Sequence, residues 1–258
     1  MPHLTRLTDY PIIFGLLSFL LLWLAAWIGV TFLRRHRELD EGVREDFGVV
    51  LAATLTLLGL ILGFSFSMAV SRYDQRKNLE EEEANAIGTQ YLRAGLLPAA
   101  DATKVRALLK DYLDLRIQFY VVRDTEKYEQ ITARTAKLQT ELWNAVQAPA
   151  VAQPSPITAL AAAGMNDVIN SQGYTQAAWW NRIPRTAWIL MMAIAIVSNL
   201  LVGYGVRSVK LGGKLLLVLP LVVAITFMLI ADIDSPRGGL IRVAPQNLHS
   251  VEDGLRAP

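Results

Sequence analysis

The chain has 258 residues, 53% of them hydrophobic and only 19% charged, with a net charge of +2 and no cysteine. Its mean hydropathy is positive, and a soluble globular chain carries about a quarter charged residues. The near-neutral balance gives no basic footprint for nucleic acid. The lack of cysteine excludes disulfides, thiolate catalysis and cysteine-held metal centres. The apolar residues fall in blocks with the charges between them, a pattern that points to a bilayer rather than a large soluble core.

The first block, 12–33, has 22 residues without a charge, enough to cross a hydrocarbon core of about 30 Å. Arginines follow it and only Arg6 precedes it, the reverse of a signal peptide. Spans two, three and four are predicted at about 47–70, 186–206 and 215–231, the last with Pro220 in its first turns. Early helix amides lack partners anyway, so that proline costs little. Trp179, Trp180 and Trp188 gather at the head of span three, as interfacial rings do.

The spacings therefore predict an all-α integral membrane protein with a first hairpin in 1–71, a helical, coiled-coil-like soluble domain in 72–183, a second hairpin in 184–232 and a tail in 233–258. No breaker follows Val70 until Gly95 and Pro98, so span two is expected to continue out of the bilayer as one long helix. A second helix starts near Asp101, with Val105, Leu108, Leu109, Tyr112 and Leu115 on one face. A third opens at Asp124, and Tyr128, Ile131, Thr135, Leu138 and Leu142 alternate spacings of three and four as a seam. The prolines of 149–154 end it. Ser155-Pro156 then supplies a cap and a first-turn proline for a fourth helix, to about Ser171.

Four spans put the termini and the domain on one side and the two short loops on the other. The loops carry Arg34, Arg35, Arg37, Arg44, Arg207, Lys210 and Lys214; the termini carry Arg6, Arg237, Arg242 and Arg256. That count favours cytoplasmic loops and an extracytoplasmic domain, in a multi-pass cell-membrane protein, expected in a bacterial inner membrane.

Gly48, Ala52, Thr56, Gly59, Gly63 and Ser67 recur on span two at steps of three and four, one stripe of the helix. Such a stripe suits close helix packing or a helix that lines a pore. Asn199 on span three needs a hydrogen-bond partner in lipid, and a neighbouring helix would supply it. Glu80, Glu81, Glu82 and Glu83 cover all sides of a helix just past span two. They form a solvated surface or, in a symmetric assembly, a ring of carboxylates near a pore mouth. Asp232-Ile233-Asp234-Ser235-Pro236 fails the calcium-loop pattern, so no metal site and no cofactor are expected. His3, His36 and His249 lie in a terminus, a loop and a tail, and no zincin, nucleophile-elbow or phosphate-loop motif occurs, so no enzyme is expected.

Two stretches carry a resemblance. One is Leu58-Gly59-Leu60-Ile61-Leu62-Gly63-Phe64-Ser65-Phe66-Ser67-Met68-Ala69, followed by Arg72-Tyr73-Asp74-Gln75-Arg76, Glu83-Ala84-Asn85-Ala86-Ile87-Gly88-Thr89 and Tyr91-Leu92-Arg93. The other is Asp232-Ile233-Asp234-Ser235-Pro236 with Gly239-Leu240-Ile241-Arg242-Val243. Together they resemble the bestrophin-like membrane proteins. The resemblance implies kinship with pentameric anion channels whose second span lines the pore and whose central domain is cytosolic, the opposite side from the charge count. The function expected is a homo-oligomeric channel or pore-like assembly, in contact with the bilayer and with copies of itself. The alternative is a membrane-anchored adaptor or sensor whose helical domain binds a protein partner.

Overall fold

Every regular element among the described residues (6–33, 41–206 and 215–256) of the computed structural model is helical. The basic residues Arg34, Arg35, Arg37, Arg207, Lys210 and Lys214 of the charge count, together with His3 and His36, lie outside them. The helices are α1 (Pro11–Ile28), α2 (Glu41–Arg93), α3 (Ala99–Val121), α4 (Thr125–Ala152), α5 (Pro156–Trp180), α6 (Arg185–Gly205), α7 (Val218–Asp234) and α8 (Gln246–Arg256). The chain divides into two compact units: Met1–Ser71 with Arg182–Arg242, and Arg72–Asn181 with Val243–Pro258. Helix α2 contributes residues to both.

Helical stretches at Pro11–Phe32, Gly42–Leu96 and Pro156–Gly205 are long and apolar enough to cross a membrane. The third contains α5 and α6, which break at 181–184 where Pro184 has no amide for a helical bond. Helix α7 has 17 residues, preceded by a 3-10 turn at Leu215–Leu217. Turn and helix together reach about 31 Å, close to the thickness of a hydrocarbon core.

In the first unit α1 packs on α6 and α7. Phe14 meets Trp188 edge to face, ring centroids 5.1 Å apart, and lies 6.1 Å from Phe227. Glycine sets the closest approach of α1 and α6. A Cβ at Gly29 would fall on the carbonyl oxygen of Leu200, and one at Gly203 on that of Ala26. Without side chains there, the two backbones touch, and dispersion contacts replace the hydrophobic drive that lipid cannot supply. Beside this contact the helix of span one widens into a π turn, Gly29–Leu33.

The second unit is an antiparallel helical bundle with its own core, in which Val105, Leu109, Tyr112, Phe119, Leu142, Val146, Met165 and Val168 are buried. Each large apolar side chain so buried contributes about 1.5–3 kcal/mol. All five seam residues of α4 face this core. Asp124 Oδ1 accepts the Lys127 amide at 2.8 Å, and Ser155 and Thr158 cap α5 reciprocally at 3.1 Å.

Two helices outrun the sequence reading. Helix α4 continues through Pro149 to Ala152 because the ring is buried, and Gln153 N closes the last turn on Pro149 O at 2.9 Å. Helix α5 runs to Trp180 because Val168, Ser171, Thr175 and Trp179 extend its buried face. That packing outweighs the roughly 1 kcal/mol that Gly173 costs inside a helix.

Candidate functional site

Helix α2 within the first unit has three faces, about a third of a turn apart at 3.6 residues per turn. Leu58, Leu62, Ser65 and Ala69 form a buried seam. Leu57, Leu60, Phe64 and Met68 form a large apolar face, exposed in the protomer. The third face is the small-residue stripe, and Gly48, Ala52, Thr56, Gly59, Gly63 and Ser67 are all exposed. A Cβ at Gly48, Gly59 or Gly63 would find no described atom within 4 Å. Only 11% of the apolar stretch of α2 is buried inside the protomer, against 39% in α1. Thr56 Oγ1 donates to Ala52 O of its own helix at 2.8 Å, which leaves the hydroxyl oxygen able to accept a further bond.

The glutamate run divides. Glu80 and Glu83 point into the bundle on a seam with Arg76, Ala84, Ile87 and Gln90, at steps of three and four, while Glu81 and Glu82 are exposed. The Glu83 carboxylate is buried and takes bonds from Arg116 Nε, Arg116 Nη2 at 3.3 Å, Tyr120 OH at 3.2 Å and Thr175 Oγ1 at 3.3 Å. Burial works against the Arg116 charge, but the facing Glu83, together with Tyr112 and Tyr120, outweighs it and holds the guanidinium pKa above its ordinary value. Burial, aided by Glu83, pushes the Tyr120 phenol up, so it stays a donor. The Glu80 carboxylate accepts the amides of Asn247 and Leu248, each at 3.0 Å, and Asn247 Nδ2 at 2.6 Å. It thereby supplies the N-terminal cap that α8 lacks in its own sequence. With both buried carboxylates engaged inside the protomer, Glu81 and Glu82 are the members of the run that can face outward.

Asn199 is buried on the face of α6 that carries Ala195, Ser198 and Gly203. Its Nδ2 donates to Ala195 O of the same helix at 2.8 Å, and Oδ1 has no partner among the described residues. The expected bond to a neighbouring helix is absent from the described protomer. The side chain folds back on the preceding turn instead.

A polar clasp at the end of α7 escaped the sequence reading. Arg182 pairs with Asp9, with Asp234 at 3.5 Å and with Thr8 Oγ1 at 3.3 Å. Asp234 also accepts the Ile183 amide through both oxygens, at 3.1 and 3.2 Å. Asp232 accepts the amides of Leu240 and Ile241, each at 2.8 Å, and closes the loop after α7. The acids of the Asp232–Pro236 segment therefore bind backbone amides and one arginine. Separations of 173 between Arg182 and Asp9 and 51 between Ile183 and Asp234 hide such a cluster from any local pattern. No group of three or more metal-ligating side chains occurs among the described residues.

A family model described as a Bestrophin-like domain matches residues 16–248. The fold resembles that of a bacterial bestrophin homologue from Klebsiella pneumoniae, with a TM-score of 0.62 at 16% identity over 95% of this chain and 96% of that one. A tryptophan-to-alanine variant of the Klebsiella homologue gives 0.63 at 15% identity, covering 93% and 95%. A proline-to-alanine variant described as a membrane protein gives 0.59 at 18% identity, covering 95% and 97%. At such identities the likeness is one of fold. No curated protein matches the chain.

Proposed function

The chain belongs to the bestrophin-like family, and from that premise we propose that it is a homo-oligomeric, channel-like membrane protein in which α2 lines a shared pore. It crosses the bilayer four times, at α1, the first part of α2, α6 and α7. The observation that carries this reading is the small-residue face of α2. It is polar enough to tolerate water through Thr56 and Ser67, and nothing in the described protomer covers it. One copy cannot enclose a path with an outward-facing helix. Several copies around an axis can, with the stripe inward and the Leu57–Phe64 face against the neighbour or the lipid. Glu81 and Glu82, just beyond the apolar stretch, then repeat as acidic groups near the pore mouth.

The test is the mass of the purified protein in detergent, together with ion flux in reconstituted vesicles. A defined oligomer that conducts supports the reading, and a clean monomer overturns it. Replacing Glu81 and Glu82 by glutamine should alter conductance or ion selectivity without changing the mass; unchanged currents remove them from the mouth. The loop charges support an extracytoplasmic helical unit. In intact cells an impermeant thiol reagent should then label Lys110→Cys and spare His36→Cys, and the opposite pattern reverses the orientation.

A further inference from the structure

We propose that Arg6 and Arg185 form a headgroup site for an anionic phospholipid whose acyl chain lies along the outer face of α6. Five charged groups meet where α6 begins: Arg6, Arg182 and Arg185 against Asp9 and Asp234. Asp9 is occupied by the Arg6 amide at 2.8 Å, by Arg182 and by Ser235 Oγ at 3.3 Å. Asp234 is occupied by Arg182 and the Ile183 amide. Arg182 therefore has counter-charges, whereas Arg185 has none among the described residues. Arg185 is exposed and has no ion pair among the described residues. Arg6 Nη1 reaches Ile183 O at 3.5 Å, two residues before Arg185. Burial, then the neighbouring Arg182 and Arg185, depress the Arg6 guanidinium below its ordinary value despite both carboxylates. The cluster thus has a surplus of positive charge at the edge of the apolar stretch.

Below Arg185, steps of four down α6 reach Ile189, Ala193 and Val197, all exposed and on one face of the helix. A cation above an uncovered apolar stripe matches the two halves of a phospholipid, phosphate above and hydrocarbon below. Free phosphate would satisfy only the upper half.

The experiment titrates the detergent-purified protein with phosphatidylglycerol or with phosphatidylcholine, reading adducts by native mass spectrometry and the unfolding temperature. Phosphatidylglycerol should give discrete adducts and raise the unfolding temperature more than phosphatidylcholine does. Arg185→Gln should reduce those adducts at least several-fold without loss of folding, since Arg185 is exposed, and Arg185→Lys should retain most of them. Equal binding of the two lipids, undiminished adducts in Arg185→Gln, or equal protection by millimolar inorganic phosphate would each overturn the proposal.

Discussion

Two sets of glycines sit in the apolar helices of this protein, and they do opposite things. Gly29 and Gly203 lie at a crossing where any side chain would strike a neighbouring backbone, whereas Gly48, Gly59 and Gly63 face open space in the protomer. In sequence the second set looks the more deliberate, because it forms a periodic stripe, while Gly29 and Gly203 are single residues in different spans. Glycine in a span records close approach only where a neighbour exists. For α1 and α6 the neighbour is in the same chain. For α2 it must be another copy, water or lipid.

The contrast can be broken by mutation. The largest effect is expected at the crossing. Gly203→Leu and Gly29→Leu force α1 and α6 apart against backbone, beyond the roughly 1–3 kcal/mol of ordinary overpacking, and folded protein should not be recovered in detergent. Normal yield and melting would remove the crossing from the stability argument. The glutamate run offers the same contrast between inward and outward positions. Glu83→Gln leaves Arg116 charged and buried without its counter-ion, which should lower stability by about 3–5 kcal/mol in urea unfolding of the purified protein. Glu81→Gln should change it by less than about 0.5 kcal/mol, as an exposed site.

A smaller effect is expected at the tail. Glu80→Gln weakens the cap of α8 by about 1–2 kcal/mol, so the amides of Asn247 and Leu248 should exchange roughly tenfold faster, with the core of the bundle unaffected. Protection unchanged at both amides would mean that Val251 and Leu255, which pack against the core of the bundle, hold the tail rather than Glu80. The smallest loss of packing in the protomer belongs to the double change Gly59→Leu with Gly63→Leu, because a Cβ at either position meets no described atom within 4 Å. The same variant should nonetheless lose oligomer mass in detergent, more than the control Leu57→Ala with Leu60→Ala. If the glycine pair and the control behave alike, the stripe faces lipid and α2 lines nothing.

Much of the helical order was legible because it rests on short-range rules. The seam of α4 shows in its spacing, and the caps at Asp124 and Ser155 lie within three residues of the amides that they satisfy. The ends of α4 and α5 were misplaced where tertiary burial of Pro149 and Trp179 outweighed a local breaker. Asn199 shows the same limit: its type announces a need for a hydrogen bond, but only the packing shows that its own helix supplies it.

By itself the sequence determined which stretches are helical and apolar, because hydrophobic periodicity, proline and capping act over a few residues. Only the tertiary structure decided which side of α2 is inside. It joined Glu80 to Asn247 and Arg182 to Asp9 across more than 160 residues of chain. It also separated glycines that hold a backbone from glycines that face outward. Those outcomes depend on which helix lies beside which, and neighbours distant along the chain leave no period in the sequence.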